Sequence, residues 1–567
     1  MSALDRLDAL VRRGALDSID LHFARAVAGW GGAVDAVVLA AALLSRLSAA
    51  GHVCLDLAQL ADTPLPFAED WCCPGFDAWR TALREHPACA DAVAAGNAPL
   101  ILDDHRLYLA RHWRAERFVA AALISRARPL AVDEARLNEG LASLFPAVEA
   151  AGQRAAAGRA AKHAVAIVSG GPGTGKTTAL AALLALTAEQ SAAPLRMLLA
   201  APTGKAAARM QEALRTAKAC LAVAPATIAA LPERAQTLHR LLGLRPDGSV
   251  RHDVDNPLAC DLLVIDEASM VDLSLMAKTL AALPASARLV LVGDRDQLAS
   301  VEAGAVFADI CQAAEDGGCL QPLYSQLEHS FRFGDDAGIA RLARLLRAGD
   351  GAAVEALLER GAEGLGWHPQ PDATALLQAA VEGYRGYLDA VHDGAPPLEL
   401  LRRFGEFRLL AAHRHGCYGV ERLNVGLERI VGIRPRETWY AGRPIMVAEN
   451  DAALGLFNGD IGIAVVAGGE LRVAFEGEDG VRMLPPQRLP RHETAWAMTV
   501  HKSQGSEFDR VLLALPEEPS PILTRELLYT AVTRARREVS VWASAALLRQ
   551  ACQRSSARYS GLAGRLG

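Results

Sequence analysis

The chain has 567 residues, of which 51% are hydrophobic and 22% charged, with a formal net charge of -6. That length and apolar content allow three or four separately cored domains and exclude a disordered chain. With Lys+Arg 59 against Asp+Glu 65, the balance excludes a generally basic, histone-like DNA binder. It leaves open a basic lining confined to one groove, because net charge does not report local potential. The 10 cysteines contain no C-x-x-C pair. Cys54, Cys72, Cys73 and Cys89 lack the close ligand spacing of a zinc site, so they read as reduced thiols. Asp5, Arg6 and Asp8 interrupt the N-terminus where the apolar core of an export signal would begin. The apolar run 36–44 is too short for a bilayer span. A cytoplasmic protein without membrane association is expected.

Residues 1–115 are rich in Ala and Leu at helical spacing, as in 36–47, and hold no catalytic constellation. They read as a helical N-terminal domain that docks on a partner. From Val165 the pattern changes. Short aliphatic runs (165–168, 196–200, 262–265, 289–292) alternate with longer Ala/Leu stretches, and the pattern resumes at 407–411, 495–500, 511–514 and 539–541. Such alternation indicates βαβ units and parallel sheets. The expected fold class is α/β, with a first domain over 116–330 and a second over 331–439 completed by 491–567. Between the two parts of the second, residues 440–490 carry short alternating runs split by Asn458-Gly459-Asp460 and Gly468-Gly469, as in a small inserted β-barrel. The segment 245–250 reads as a β-turn between short runs, either a projecting pin or a plain surface hairpin.

Gly170-Gly171-Pro172-Gly173-Thr174-Gly175-Lys176-Thr177 fits G-x-x-x-x-G-K-S/T between an apolar strand and a helix, the context that gives the motif its meaning. Glycines let successive backbone N–H groups turn inward around phosphate oxygens, and the helix N-terminus adds partial positive charge. Lys176 is placed to contact the β- and γ-phosphates of ATP, and Thr177 to ligate Mg²⁺. The apolar strand 262–265 ends in Asp266-Glu267, at the strand end where α/β ligand sites lie. Asp266 is the second candidate ligand for Mg²⁺, and Glu267 the group that orients the attacking water. Together these residues define an NTPase, and do not by themselves make a DNA motor.

Further polar groups end two other strands: Ala201-Pro202-Thr203-Gly204-Lys205 and Gly293-Asp294-Arg295-Asp296-Gln297-Leu298. With Gly170 to Thr178, Asp266-Glu267-Ala268-Ser269, the stretch 499–505 (TVHKSQG) and the stretch 525–536 (RELLYTAVTRAR), this ordered set resembles superfamily 1 DNA helicases. The stretches 293–304 (GDRDQLASVEAG), Asn450-Asp451 with 456–462 (LFNGDIG), and 489–508 resemble the RecD family in particular, the alpha subunits of exodeoxyribonuclease V (RecBCD). The resemblance covers most of residues 150–545 and is weakest toward the N-terminus.

What the resemblance implies is specific. The fold would be two RecA-like P-loop domains with parallel sheets, an SH3-like inserted barrel and the helical N-terminal domain. Gln153 would read adenine, although a lone Gln is usually surface, and Glu507 would lie with the nucleotide. Gln297 would sense the γ-phosphate. Arg332 and Arg534 would reach the γ-phosphate from the second domain. Thr203, Lys205, His239, Thr499 and His501 would hold single-strand phosphates, although each suits an ordinary capping or core role equally. Partners would be DNA at a duplex end and RecB-like and RecC-like subunits in a heterotrimer. The nuclease site would lie in the RecB partner, since no Asp/Glu/Lys nuclease cluster is visible here. Travel would be 5′ to 3′, a polarity the motifs themselves do not give. Two other readings stay open: a stand-alone RecD-like or conjugation-type helicase, and an ATP-dependent regulatory subunit that does not unwind. The absence of a long N-terminal extension favours the complex subunit.

Overall fold

The computed structural model describes residues 2–65, 67–94, 96–331, 337–433, 438–451, 453–477 and 480–567. A six-stranded parallel sheet forms the first α/β unit, in the order Tyr324–Leu327, Val165–Gly170, Arg288–Gly293, Leu262–Ile265, Met197–Ala201, Ala235–Thr237. Its central strands are apolar on both faces because helices cover both. Val165, Ile167, Leu263, Ile265, Leu289 and Leu291 pack one way, with Trp113, Met276 and Phe307. Ala166, Val168, Val264, Val290 and Val292 pack the other way, with Leu180, Leu184 and Met210. This is the period-two alternation of a strand buried on both sides.

A second parallel sheet has five strands, in the order Leu365–His368, Ala535–Trp542, Phe508–Ala514, Phe407–Ala411, Ala497–Thr499. It is sandwiched in the same way. Leu410, Met498, Val511, Leu513 and Val541 face one core, and Leu409, Ala411, Leu512 and Trp542 the other. Between Ile430 and Ala497 the chain leaves this unit to form a five-stranded antiparallel sheet. That sheet contains Pro444–Val447, Ile461–Ala467, Glu470–Gly477, Gly480–Leu484 and His492–Thr494. It has a small core of Ile445, Val447, Ala464, Val473 and Phe475, while Ile463, Val465 and Ala474 pack on the second unit.

Three expectations are corrected. The N-terminal segment is not simply helical. After helices Ala3–Arg12, Ser18–Gly31 and Asp35–Ala49 it builds a four-stranded sheet from Cys54–Asp56, Arg106–Leu109, Leu100–Asp103 and Cys89–Asp91. These strands have three or four residues each, too short for alternation to stand out. The segment 245–250 keeps the expected turn, closed by the Arg245 N–H on the Ser249 carbonyl at 2.9 Å and anchored by Lys278 Nζ on the Gly248 carbonyl at 3.1 Å, but not the hairpin. It forms no two-stranded ribbon among the described residues.

The third correction concerns the end of the chain, which does not stay with the second unit. The Ser556 N–H still donates to Glu526 Oε2 there at 2.8 Å. Two residues later, Arg558 donates to the carbonyls of Ser300 (2.6 Å), Glu302 (2.6 Å) and Gly304 (2.9 Å) in the first unit. The Val53 N–H then donates to the Tyr559 carbonyl at 2.9 Å. Helix Leu562–Leu566 packs into the first unit's core through Leu562 and Leu566. The anchor is Glu116, a fully buried carboxylate on helix Ala110–Arg126. It accepts from Tyr108 OH (3.1 Å), Ser560 Oγ (3.1 Å), the Gly561 N–H (3.0 Å) and Arg565 Nε (2.8 Å). No described helix is long and apolar enough to cross a membrane.

A buried charge with four donors is costly to remove, because Arg565 and Tyr108 would be left without it. Glu116→Ala should cost about 3–5 kcal/mol. Limited proteolysis should then cut within residues 553–567 faster than in the unaltered protein. Unchanged protection of that segment, with an unchanged melting temperature, would show that the anchor is unimportant.

Candidate nucleotide and DNA site between the two parallel sheets

The phosphate loop follows strand Val165–Gly170 and opens helix Lys176–Glu189. Gly173 (φ +80°) and Gly175 (φ +74°) take left-handed backbone that a side chain would strain. The loop holds itself in shape: Thr174 Oγ1 donates to the Gly171 carbonyl at 2.8 Å. Lys176 Nζ donates to the carbonyls of Gly170 (2.6 Å) and Gly171 (3.1 Å). Thr177 and Thr178 occupy the first turn of the helix. Gln153 is not a surface residue but buried. Its amide donates to the carbonyls of Thr174 and Gly175, at 3.1 Å each, and so braces the loop from helix Ala151–Lys162.

Asp266 and Glu267 end strand Leu262–Ile265. Burial, and then the neighbouring Glu267, push the Asp266 carboxyl up to about 6, with Lys176 opposing. Glu267 sits at φ +51°, a left-handed conformation that a non-glycine residue holds only under constraint. One strand over, buried Gln297 donates from Nε2 to Asp294 Oδ2 at 2.9 Å.

The second unit closes over this site. Arg534 is 2% exposed and belongs to the turn after helix Arg525–Val532. Its Nε donates to the Thr530 carbonyl and its Nη1 to the Ser506 carbonyl, each at 3.1 Å. Burial lowers its pKa, and the carboxylates of Glu267, in the first unit, and Glu507 oppose that shift, which puts Glu267 within Coulomb range of the guanidinium. Arg332 lies outside the described residues. Phe331, just before it, donates its N–H to the Gly173 carbonyl at 2.8 Å, which brings the connecting chain past the phosphate loop.

The candidate DNA residues lie at strand ends on the same seam. Thr203 and His239 follow neighbouring parallel strands whose last pair is Ala201 with Thr237. Thr203 caps helix Gly204–Cys220 by accepting from the Ala206 N–H at 3.2 Å, and His239 is exposed. Thr499 ends the edge strand of the second sheet and accepts from the Lys502 N–H at 3.3 Å. Burial, and then Arg558, hold the His501 pKa down, which favours the neutral ring. The two loops meet: a Cβ on Gly505 would lie 3.6 Å from the Ala206 Cβ. Lys205 is half-buried, and its amine is pushed down to about 8, first by burial and then by Arg408, with Asp460 of the inserted sheet opposing. Phe457 of that insert covers Gly204, leaving no room there for a side chain.

Residues 12–108 match the RecBCD enzyme subunit RecD N-terminal domain. Residues 153–303 match an AAA domain, and 494–542 the UvrD-like helicase C-terminal domain. The RecBCD enzyme subunit RecD of Mycobacterium tuberculosis (strain ATCC 25618 / H37Rv) is 42% identical, over 98% of this chain and 96% of its own length. The chain belongs to the RecD family. The RecD of Haemophilus influenzae is 34% identical over 85% of this chain and 84% of its own. The ATP-dependent RecD2 DNA helicase of Deinococcus radiodurans is 33% identical over 66% of this chain and 46% of its own. A Pif1 helicase from Bacteroides, solved with ADP-AlF3 and ssDNA, has a TM-score of 0.38 at 19% identity, over 66% of this chain and 88% of its own.

Around these motifs, further groups bond across the seam. Arg209 of helix Gly204–Cys220 pairs with Glu507 across the seam and donates to the Gly505 carbonyl at 3.3 Å. Gln504 Nε2 donates to the Leu298 carbonyl at 3.0 Å, and the Leu298 N–H donates to Thr530 Oγ1 at 3.0 Å. No local sequence signal marks Arg209 or Thr530 for these roles.

A Cβ on Gly175 would fall 1.9 Å from Gln153 Nε2, on backbone that already disfavours one. Gly175→Ala should cost about 1–2 kcal/mol of stability. It should also weaken ATP binding by displacing the brace, as a nucleotide titration would show. Unaltered affinity would mean that the Gln153 brace does not shape the phosphate loop.

Proposed function

We propose that ATP bound in this seam draws the two sheets together and that its hydrolysis lets them part, moving the protein 5′ to 3′ along one strand of a duplex end. By family, the protein is an ATP-dependent DNA helicase subunit of the RecBCD type, working with RecB-like and RecC-like subunits on broken DNA. The observation that carries the mechanism is the buried Arg534, supplied by one sheet and within Coulomb range of Glu267 at a strand end of the other.

Lys176 would release the Gly170 and Gly171 carbonyls for the β- and γ-phosphates. Glu267 would hold the attacking water, and Gln297 would turn its amide to the γ-phosphate. Arg534, with Arg332, would meet the charge that spreads over the γ-phosphoryl group in the transition state. Gln153 and Glu507 would flank the base and sugar. Asp266 and the Thr177 hydroxyl would hold Mg²⁺, which supplies charge neutralisation at the phosphates when bound. Adjacent, half-buried carboxylates with the Lys176 charge close by suit a divalent cation. Thr203, Lys205, His239, Thr499 and His501 would grip phosphates, contacts that carry no sequence preference and so suit a translocating motor. The inserted sheet, read as an SH3-like barrel, would clamp the strand through its Phe457 tip. The chain would divide into an N-terminal domain over 1–115, RecA-like domains over 116–330 and 331–439 with 491 to about 556, and the insert over 440–490.

Lys176→Gln should reduce ATP turnover at least about 100-fold in a folded protein. Arg534→Ala should reduce turnover about 1,000-fold while ATP affinity changes little. Equal loss of binding and turnover would rule out a transition-state role for Arg534. A phosphate beside Lys205 would favour its charged form, so binding of a single strand should take up a fraction of a proton at about pH 8.5. Calorimetry in buffers of different ionisation enthalpy would measure the uptake. Lys205→Met should abolish it, and uptake that persists would place the proton elsewhere.

A further inference from the structure

Asp294 is 1% exposed, and its carboxylate joins groups from both units. Oδ2 accepts from Gln297 Nε2 at 2.9 Å and from Tyr529 OH at 3.0 Å. Oδ1 accepts from the Asp296 N–H at 3.1 Å. Tyr529 is itself buried, and its pKa is raised well above the usual value by burial and then by Asp294, so the phenol remains a donor. The same hydroxyl lies against the phosphate loop, since a Cβ on Gly171 would be 2.9 Å from it. Tyr529 belongs to helix Arg525–Val532, whose Thr530 carbonyl accepts from Arg534 Nε at 3.1 Å. One phenol thus touches the phosphate loop, shares an acceptor oxygen with the Gln297 amide and sits on the helix that seats Arg534.

We propose that Tyr529 is a positioning residue that, through the Asp294 oxygen it shares with Gln297, ties the placement of Arg534 to whether Gln297 has engaged the γ-phosphate. This rests on the reading of Gln297 given above. A buried carboxylate is costly to leave short of donors. When the Gln297 amide turns toward the γ-phosphate, Asp294 keeps Tyr529 as its side-chain donor and draws the phenol closer. The tyrosine ring has few rotatable bonds, so the helix follows, and Arg534 is seated beside Glu267. Loss of the γ-phosphate returns the Gln297 amide to Asp294 and slackens the pull. Tyr529 touches no reacting atom in this scheme; it acts through Asp294 and Arg534.

The test uses the full-length chain and measures its affinity for an oligo-dT strand by fluorescence anisotropy, with and without a non-hydrolysable ATP analogue and Mg²⁺. The ratio of the two affinities reports the coupling between the sites. Tyr529→Phe removes only the hydroxyl. It should bring the ratio at least about fivefold closer to one and lower the kcat of DNA-stimulated turnover about tenfold, the size expected for one lost hydrogen bond to a charged group, with KM for ATP within about twofold. Thr530→Val breaks the neighbouring Leu298 contact without touching Asp294, and should keep the ratio within about twofold of the unaltered protein. A wild-type ratio and kcat in Tyr529→Phe, or an equal loss in Thr530→Val, overturns the proposal. If Tyr529→Phe melts early, Asp294→Asn substitutes for it, and an unchanged ratio there also overturns the proposal. Gln297→Ala tests the sensor reading separately: coupling that survives it removes Gln297 from the scheme, whereas coupling lost there but kept in Tyr529→Phe removes Tyr529 alone.

Discussion

The structure depends on charge buried where two sheets meet. Buried Asp294 and half-buried Asp266 and Glu267 come from the first sheet's strand ends, and Glu507 and buried Arg534 from the second. Charges removed from water are tolerable only when partners sit within hydrogen-bond or short Coulomb range. Here many of the partners belong to the opposite unit: Arg209 reaches Glu507, Tyr529 reaches Asp294, and Glu267 lies within Coulomb range of Arg534. Separating the units would strand several charges at once. Adding or removing the highly charged γ-phosphate would therefore change the balance at the seam by a large amount over a short distance.

The candidate strand-gripping loops are part of the same construction. Helix Gly204–Cys220 begins at Thr203 and Lys205 and carries Arg209 one turn further on. The loop after Thr499 contains Gln504 and Gly505, both bonded across the seam, and runs on to Glu507. A contact made at the DNA end of either element is a few residues, on a continuous rigid segment, from a group bonded at the nucleotide end. Beside the proposed Asp294–Tyr529 link, the stiffness of one helix and one short loop would join the two ends.

Much of the central architecture was legible because strands buried on both faces are continuous apolar runs. The runs 165–168, 262–265 and 289–292 fall inside strands Val165–Gly170, Leu262–Ile265 and Arg288–Gly293. Two of the edge strands were not legible. Ala235–Thr237 and Leu365–His368 are only partly buried and mix small, polar and aromatic residues. The glycine-rich loop and the acid pair stand out because each is contiguous, its chemistry written in neighbouring residues. The bond from Tyr529 to Asp294 spans 235 positions, and the Arg558 contacts with Ser300 and Glu302 span 258 and 256. Glu116 is legible only as a helix-face charge until Ser560, Gly561 and Arg565 close over it.

The return of the chain end to the first unit has a mechanical consequence. The second unit is joined to the first by two covalent strands. One runs from Leu327 past the phosphate loop to helix Gly338–Ala348, and the other from Arg554 to the docked helix Leu562–Leu566. A body held by a single tether can swivel about it in any direction. A body held at two separated points can turn freely only about the line joining them, like a door on its pins. With Leu562 and Leu566 sunk in the first core and Arg558 pinned by three carbonyls, the second pin is set in the frame. In the proposed cycle, opening and closing of the seam would be confined to one arc.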